Sequence, residues 1–368
     1  MAPSANNCFS ASYAEARTQF LSCASAAGAA LSAHTHPSAN GPAGAPLHID
    51  VAAFGKAGAA KVFVIVSGTH GMEGYAGSAA QIAFIGSGRL GALPSEVLVL
   101  MIHGLNPWGF AHGSRTTENN VDLNRNFIDW RGAPPANPAY RELHPMLCPR
   151  DWTRASRERA AGEIAGWVAE HSRSTFLDRM IRGQHDFPDG IAFGGTGPEW
   201  SNVTLKEIVR SWCRSAKRVA VIDWHTGLGA LGEPFYLCFN RPGSALERRC
   251  LDWWGQEAST GFSEGQERPA YTGLVYQGIE SLLSPQAEVA GGVVEFGTRP
   301  VDDMIDALRI DRWLRFAAPG AVADHTREAL VADLMERYCP AAEAWRSSVI
   351  GHADRLHRRT LDGLIAWT

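Results

Sequence analysis

"KVFVIVSGTHGMEGYAGSAAQ", residues 61–81, decides how the chain is read. Its first six residues are mostly apolar and β-forming, which fits a strand buried on both faces. Gly68, Gly71 and Gly74 then allow a sharp turn. "GSAAQIAFIGSGRL", starting at Gly77, reads as a helix, and "EVLVLMIHGLNP" (96–107) is a second buried strand. Strand, helix and strand in succession predict a parallel sheet with helices packed on it. "RVAVIDWHTGLG" (218–229) and "GGVVEFGT" (291–298) repeat the theme of a buried strand that ends in polar residues and glycines. In open α/β sheets ligands bind at the carboxyl ends of the strands, so the chemistry is expected there.

Around this core, residues 9–33 have helical spacing, "HTHPSANGPAGAP" (34–46) reads as a turn-rich connector, and "LHIDVAAFG" (47–55) as a strand. One domain is expected over residues 1–368. A helical and loop elaboration at about 131–215 would wall the site, and a helical tail from about 325 would pack on the core or on another subunit, so a homo-oligomer stays open. The 368 residues are 45% hydrophobic and carry a formal net charge of -4, which argues against a nucleic-acid or membrane-surface partner. No stretch approaches the ~20 apolar residues that span a bilayer. The first twenty residues have no basic and apolar leader pattern, and the seven cysteines are scattered without a CxxC pair. A cytoplasmic, reduced setting is the expectation.

His70 and Glu73 share the turn after the first strand, and imidazole with carboxylate suits Zn²⁺. A catalytic zinc needs a third protein ligand and an open position. His225 is preferred for it and His103 is the rival, since both close an apolar strand. Glu295, at the end of "GGVVE", is read either as the general base or as a partly buried glutamate paired with an arginine. "GSRTTENNVDLNRNF" offers Arg115, Asn124 and Arg125 for an anionic substrate, or a salt-bridge cluster with Glu118 and Asp122. Asp223, two residues before His225, points to the same side of an extended strand and either orients that ligand or caps the strand.

These motifs occur together with "CFSASYAEARTQFL", "HGLNPWGFAHGSRTTENNVDLNRNF" and "GQHDFPDGIAFGGTGPEWSN". In that order they resemble the M14 metallocarboxypeptidase-like superfamily, which also contains succinylglutamate desuccinylase and aspartoacylase enzymes. Within it the chain is most similar to the DUF2817 family. The resemblance implies an α/β fold with a mixed, mostly parallel central sheet and helices on both faces. It implies one Zn²⁺ per chain held by His70, Glu73 and His225, and Glu295 as general base. Asn124 and Arg125 would grip a substrate carboxylate, and Arg115 would polarise the carbonyl. Carboxypeptidases of the superfamily also use a mobile tyrosine upstream of the base. Tyr271 and Tyr276 are both candidates, and neither sits in a decisive motif.

The expected function is zinc-dependent hydrolysis of an amide next to a free carboxylate, in a peptide or small conjugate. The alternatives are an amidase or deacylase of small N-acyl amino acids, an esterase, and an inactive ligand-binding member. Retention of the full set His70, Glu73, His225, Glu295 and Arg125 argues against the last.

Overall fold

The computed structural model describes residues 7–255, 270–318 and 320–368. Seven strands run through it: β1 (Ala30–Asn40), β2 (Pro46–Gly55), β3 (Lys61–Val66), β4 (Val97–His103), β5 (Arg218–Leu231), β6 (Pro234–Cys238) and β7 (Glu288–Gly297). They form one sheet in the order β1-β2-β4-β3-β5-β7-β6. The central strands β4, β3, β5 and β7 are mutually parallel. The outer pairings β1 with β2, β2 with β4, and β6 with β7 are antiparallel. The sheet is therefore mixed and mostly parallel at its centre, as expected.

The helices are α1 (Tyr13–Ala26), α2 (Gly74–Gly86), α3 (Pro107–His112), α4 (Tyr140–Leu147), α5 (Arg154–His171), α6 (Arg173–Ile181), α7 (Trp200–Trp212), α8 (Ala245–Trp254), α9 (Val275–Glu280), α10 (Val301–Phe316), α11 (Asp324–Tyr338) and α12 (Glu343–Ile365). They cover both sheet faces, which is why the central strands are apolar without interruption. Phe63, Ile65, Val97, Val99, Met101, Ile222 and Trp224 pack with α1, α2, α8 and α12. Val62, Val64, Val66, Leu98, Leu100, Ile102, Val219 and Val221 pack with α7 and α9. Alternate residues of each strand thus serve opposite layers. This parity assigns each functional side chain at a strand end to one face. His103 falls on the α1/α2 face, whereas Asp223, His225, Val293 and Glu295 fall on the α7/α9 face.

Between β4 and β5, the expected elaboration includes α4 to α6, which enclose an apolar cluster of their own around Tyr140, Leu143, Leu147, Trp167 and Phe176. After β7, α10 packs with α11 around Met72 in the turn after β3, and in the tail α12 packs on the α1/α2 face of the sheet. Among the described residues no helix is long and apolar enough to cross a membrane.

Two expectations are corrected. Helix α1 stops at Ala26 and does not run to residue 33, because Gly28 turns the chain with φ +81. The supposed connector after it is largely β1, an edge strand paired with β2 and irregular between Thr35 and Asn40. Most of its residues are exposed, so it lacks the apolar alternation that marks a half-buried strand, and Pro37 sits where an edge tolerates it.

Candidate active site

Beyond β3 the chain turns at Gly68, which has φ +71. The turn is clamped against the segment after α3. The Gly71 N–H donates to Arg115 O at 3.1 Å and the Met72 N–H to Ser114 O at 3.2 Å. Glycine is needed at 71, since a Cβ there would lie 2.0 Å from the Gly109 carbonyl carbon. This clamp fixes His70 and brings Arg115 beside it. Glu73 occupies the N-cap position of α2, where the positive end of the helix dipole favours a carboxylate.

His225 comes from β5, close to the β3 strand end. Its Nδ1 lies 3.1 Å from His70 Nδ1 and 2.8 Å from Glu73 Oε2, and His70 Nδ1 lies 2.9 Å from Glu73 Oε1. All three side chains are buried. Burial opposes ionisation of Glu73, yet the two histidines hold its carboxyl well below the usual range. Burial likewise opposes a charge on His225, but Asp223 and Glu73 raise its pKa well above normal. Two imidazole nitrogens and a carboxylate that converge within 4.8 Å fit a divalent cation with nitrogen and oxygen ligands.

The far sides of both imidazoles face acids. His70 Nε2 is 3.0 Å from Asp122 Oδ1 and 2.8 Å from Arg115 Nη2. His225 Nε2 is 2.9 Å from Asp223 Oδ2, although neither atom has an aligned hydrogen bond. The other oxygen of Asp223 accepts from the Thr69 hydroxyl at 2.8 Å. A carboxylate behind a histidine fixes the ring orientation and makes the facing nitrogen a better ligand.

Arg115 donates to Asp122 Oδ2 at 2.7 Å. The salt-bridge reading of this loop is therefore right for Asp122, while Glu118 sits 2.9 Å from His36 instead. The backbone of Arg115 is anchored as well, its N–H donating to Asp311 Oδ2 of α10 at 2.9 Å. Burial disfavours the guanidinium charge, but Asp122 and Glu73 outweigh that and raise its pKa.

Glu295 pairs in register with His225 across β5 and β7. Its carboxylate accepts from the Leu228 N–H at 3.4 Å and has no arginine partner among the described contacts. Burial, and then the negative charge of Glu73, push its pKa up to about 7. Asn124 Oδ1 accepts from the Val275 N–H at 2.8 Å. Arg125 donates to Asn124 O and twice to Ile181 O, which occupies three of its five N–H donors. Its guanidinium lies 5.1 Å from the Tyr271 ring centre.

One cleft collects these groups. It is lined by His70, Glu73, His225, Arg115, Asn124, Arg125 and Glu295. Its remaining wall is mainly apolar, with Ile181, Ile191 and Ala192 supplied by the elaboration and Met304 and Leu308 by α10. Tyr271 lines it too. The two rival residues do not. Tyr276 bonds to Asn240 and Val289 O in the core. His103 stacks on Phe20 at 4.4 Å, with its Nε2 2.9 Å from Ser78 Oγ on the other face of the sheet. Three residues escaped the sequence reasoning as parts of the site: Asp122, Asp311 and Tyr338. Only Asp122 carried a signal, its place two residues before Asn124 in the same motif.

The family model described as "Protein of unknown function (DUF2817)" matches residues 9–352. No curated protein matches the sequence. Among solved structures, bovine thrombin-activatable fibrinolysis inhibitor in complex with tick carboxypeptidase inhibitor is similar over 97% of this chain and 98% of that one, with a TM-score of 0.50 and 11% identity. Carboxypeptidase A from Helicoverpa armigera matches with a TM-score of 0.45 and 12% identity, over 88% of this chain and 73% of that one. The succinylglutamate desuccinylase from Chromobacterium violaceum matches with a TM-score of 0.33 and 15% identity, over 88% and 74%.

Proposed function

The chain belongs to the DUF2817 family, and from that premise and the cleft just described we propose that it is a metal-dependent hydrolase of amides that carry a free carboxylate. The observation that carries the reading is the convergence of His70, Glu73 and His225 beside Glu295 in one cleft.

A divalent cation, zinc in the first instance and one per chain, would be held by His70, Glu73 and His225 and would supply Lewis-acid chemistry at the scissile carbonyl. The chain's own groups do the rest. Glu295, with a pKa near 7, accepts a proton from the attacking water and passes it to the leaving nitrogen as the C–N bond breaks. Arg115 donates to the carbonyl oxygen as negative charge develops there, a contribution of roughly 3–4 kcal/mol for a well-placed donor. Asn124 and the two N–H donors left on Arg125 orient the substrate carboxylate.

A small N-acyl amino acid or similar conjugate is favoured over a long peptide. The mainly apolar wall, with a few polar groups converging at one end, suits a small ligand. Elemental analysis of wild type beside His225→Ala tests the metal, with zinc at one per chain in the first and none in the second. Hydrolysis of N-acyl amino acids beside their methyl esters then tests the carboxylate requirement. Retained zinc in the variant, or equal turnover of acids and esters, would sink the corresponding half of the proposal.

A further inference from the structure

Tyr338 ends α11 and lines the cleft, yet it is only 2% exposed. Its hydroxyl is buried and has no hydrogen-bond partner. Of the buried polar atoms without partners among the described residues, only this one and His225 Nε2 belong to cleft-lining side chains. His225 Nε2 has a carboxylate 2.9 Å away. The Tyr338 hydroxyl has nothing, and leaving a buried hydroxyl unpaired is a net cost to folding.

The surroundings of the hydroxyl belong to the site. Burial is the main influence that keeps it protonated, and the charges acting on it are those of Arg115, Glu73, Asp311 and Glu295. The residue is also fastened to the ligand strand. Thr226, next to His225, donates its hydroxyl to Tyr338 O at 2.6 Å and its N–H to Glu73 Oε2 at 3.2 Å. A phenylalanine would supply the same packing against Met72 without the unpaired oxygen.

We infer that Tyr338 is a catalytic hydrogen-bond donor, its hydroxyl serving the scissile carbonyl oxygen beside Arg115. This rests on the hydrolase reading and adds to it a residue that lies downstream of Glu295 and outside every motif of the cleft. The group stays protonated throughout, so it gives a hydrogen bond and no proton. Within the protein it is unpaired because its partner arrives with the substrate.

Tyr338→Phe tests it through three readouts. Turnover of an N-acyl amino acid should fall ~10²–10³-fold in kcat, as for loss of one oxyanion donor, with KM almost unchanged. The melting temperature of the metal-free variant should equal or exceed that of metal-free wild type. Benzylphosphonate, a tetrahedral oxyanion with an apolar tail, should bind the zinc-loaded variant at least tenfold more weakly by calorimetry. Unchanged kcat overturns the inference, and so does a fall in melting temperature that accounts for the lost activity. If wild type hydrolyses no acylated amino acid, the hydrolase reading fails and the phosphonate decides alone. Weaker binding to the variant then upholds the donor, whereas equal binding or none to wild type overturns it.

Discussion

Glu295 is held by one long hydrogen bond from Leu228 N–H and otherwise by burial beside Glu73. No arginine among the described contacts neutralises it, and His225 and His70 only partly offset burial and the charge of Glu73, which keeps the carboxyl poised to exchange a proton near neutrality. Such a group is a sacrifice of stability at a working position. Glu295→Gln removes the proposed proton acceptor and leaves the three proposed ligand side chains untouched. Its kcat should fall ~10²–10⁴-fold while elemental analysis still finds one zinc per chain. Loss of zinc in that variant would mean that Glu295 belongs to the ligand set. At this scale the sequence was readable where residues share a motif. His70 with Glu73, and Asn124 with Arg125, are neighbours in the chain and neighbours in the cleft. Tyr338 was not readable. In "EALVADLMERY" it continues a helical pattern, and a buried aromatic on a helix looks the same whether or not its hydroxyl has a use.

The turn between β3 and α2 shows how an element can fail as a unit. A methyl group at Gly71 would meet the backbone of Gly109 and Phe110 and the carbonyl of Ser114, none of which can rotate away. Gly71→Ala should therefore destabilise the protein by ~1–3 kcal/mol and also weaken zinc binding, because the same clamp sets His70 and Arg115. Chemical denaturation and a zinc titration of the metal-free variant would check both, and normal stability would contradict the packing described here. Strand parity explains why His103 stays a rival to His225 in the sequence. Both end apolar strands, and a strand buried on both faces carries no mark of which side is which. Only the packing of α1 and α2 against one face and α7 and α9 against the other makes the distinction. The edge strand β1 was hidden for the opposite reason, since almost nothing in it is buried.

Across the whole molecule, α12 closes the α1/α2 face through His357. The imidazole stacks on Phe84 at 4.5 Å, and its Nε2 accepts from the Trp224 indole N–H at 3.1 Å. Burial alone lowers its pKa to about 3 from 6.5. Its folded-state pKa is depressed, so its contribution is complete above pH 6.5 and drains away as the pH falls toward 3, because only the unfolded chain takes up the proton. Between pH 6.5 and 5 this amounts to about 2 kcal/mol. His357→Phe should lose less stability than wild type over that interval by about this amount, read from urea unfolding at several pH values. Identical pH profiles would show that His357 does not titrate on unfolding. The rung that joins His225 to Glu295 across β5 and β7 has a different kind of consequence. Parallel neighbours in a sheet stand roughly 4.8 Å apart whatever their side chains. The backbone thus acts as a gauge block between the proposed ligand and the proposed base, and a redesign of the cleft could exchange every wall residue without recalibrating that spacing.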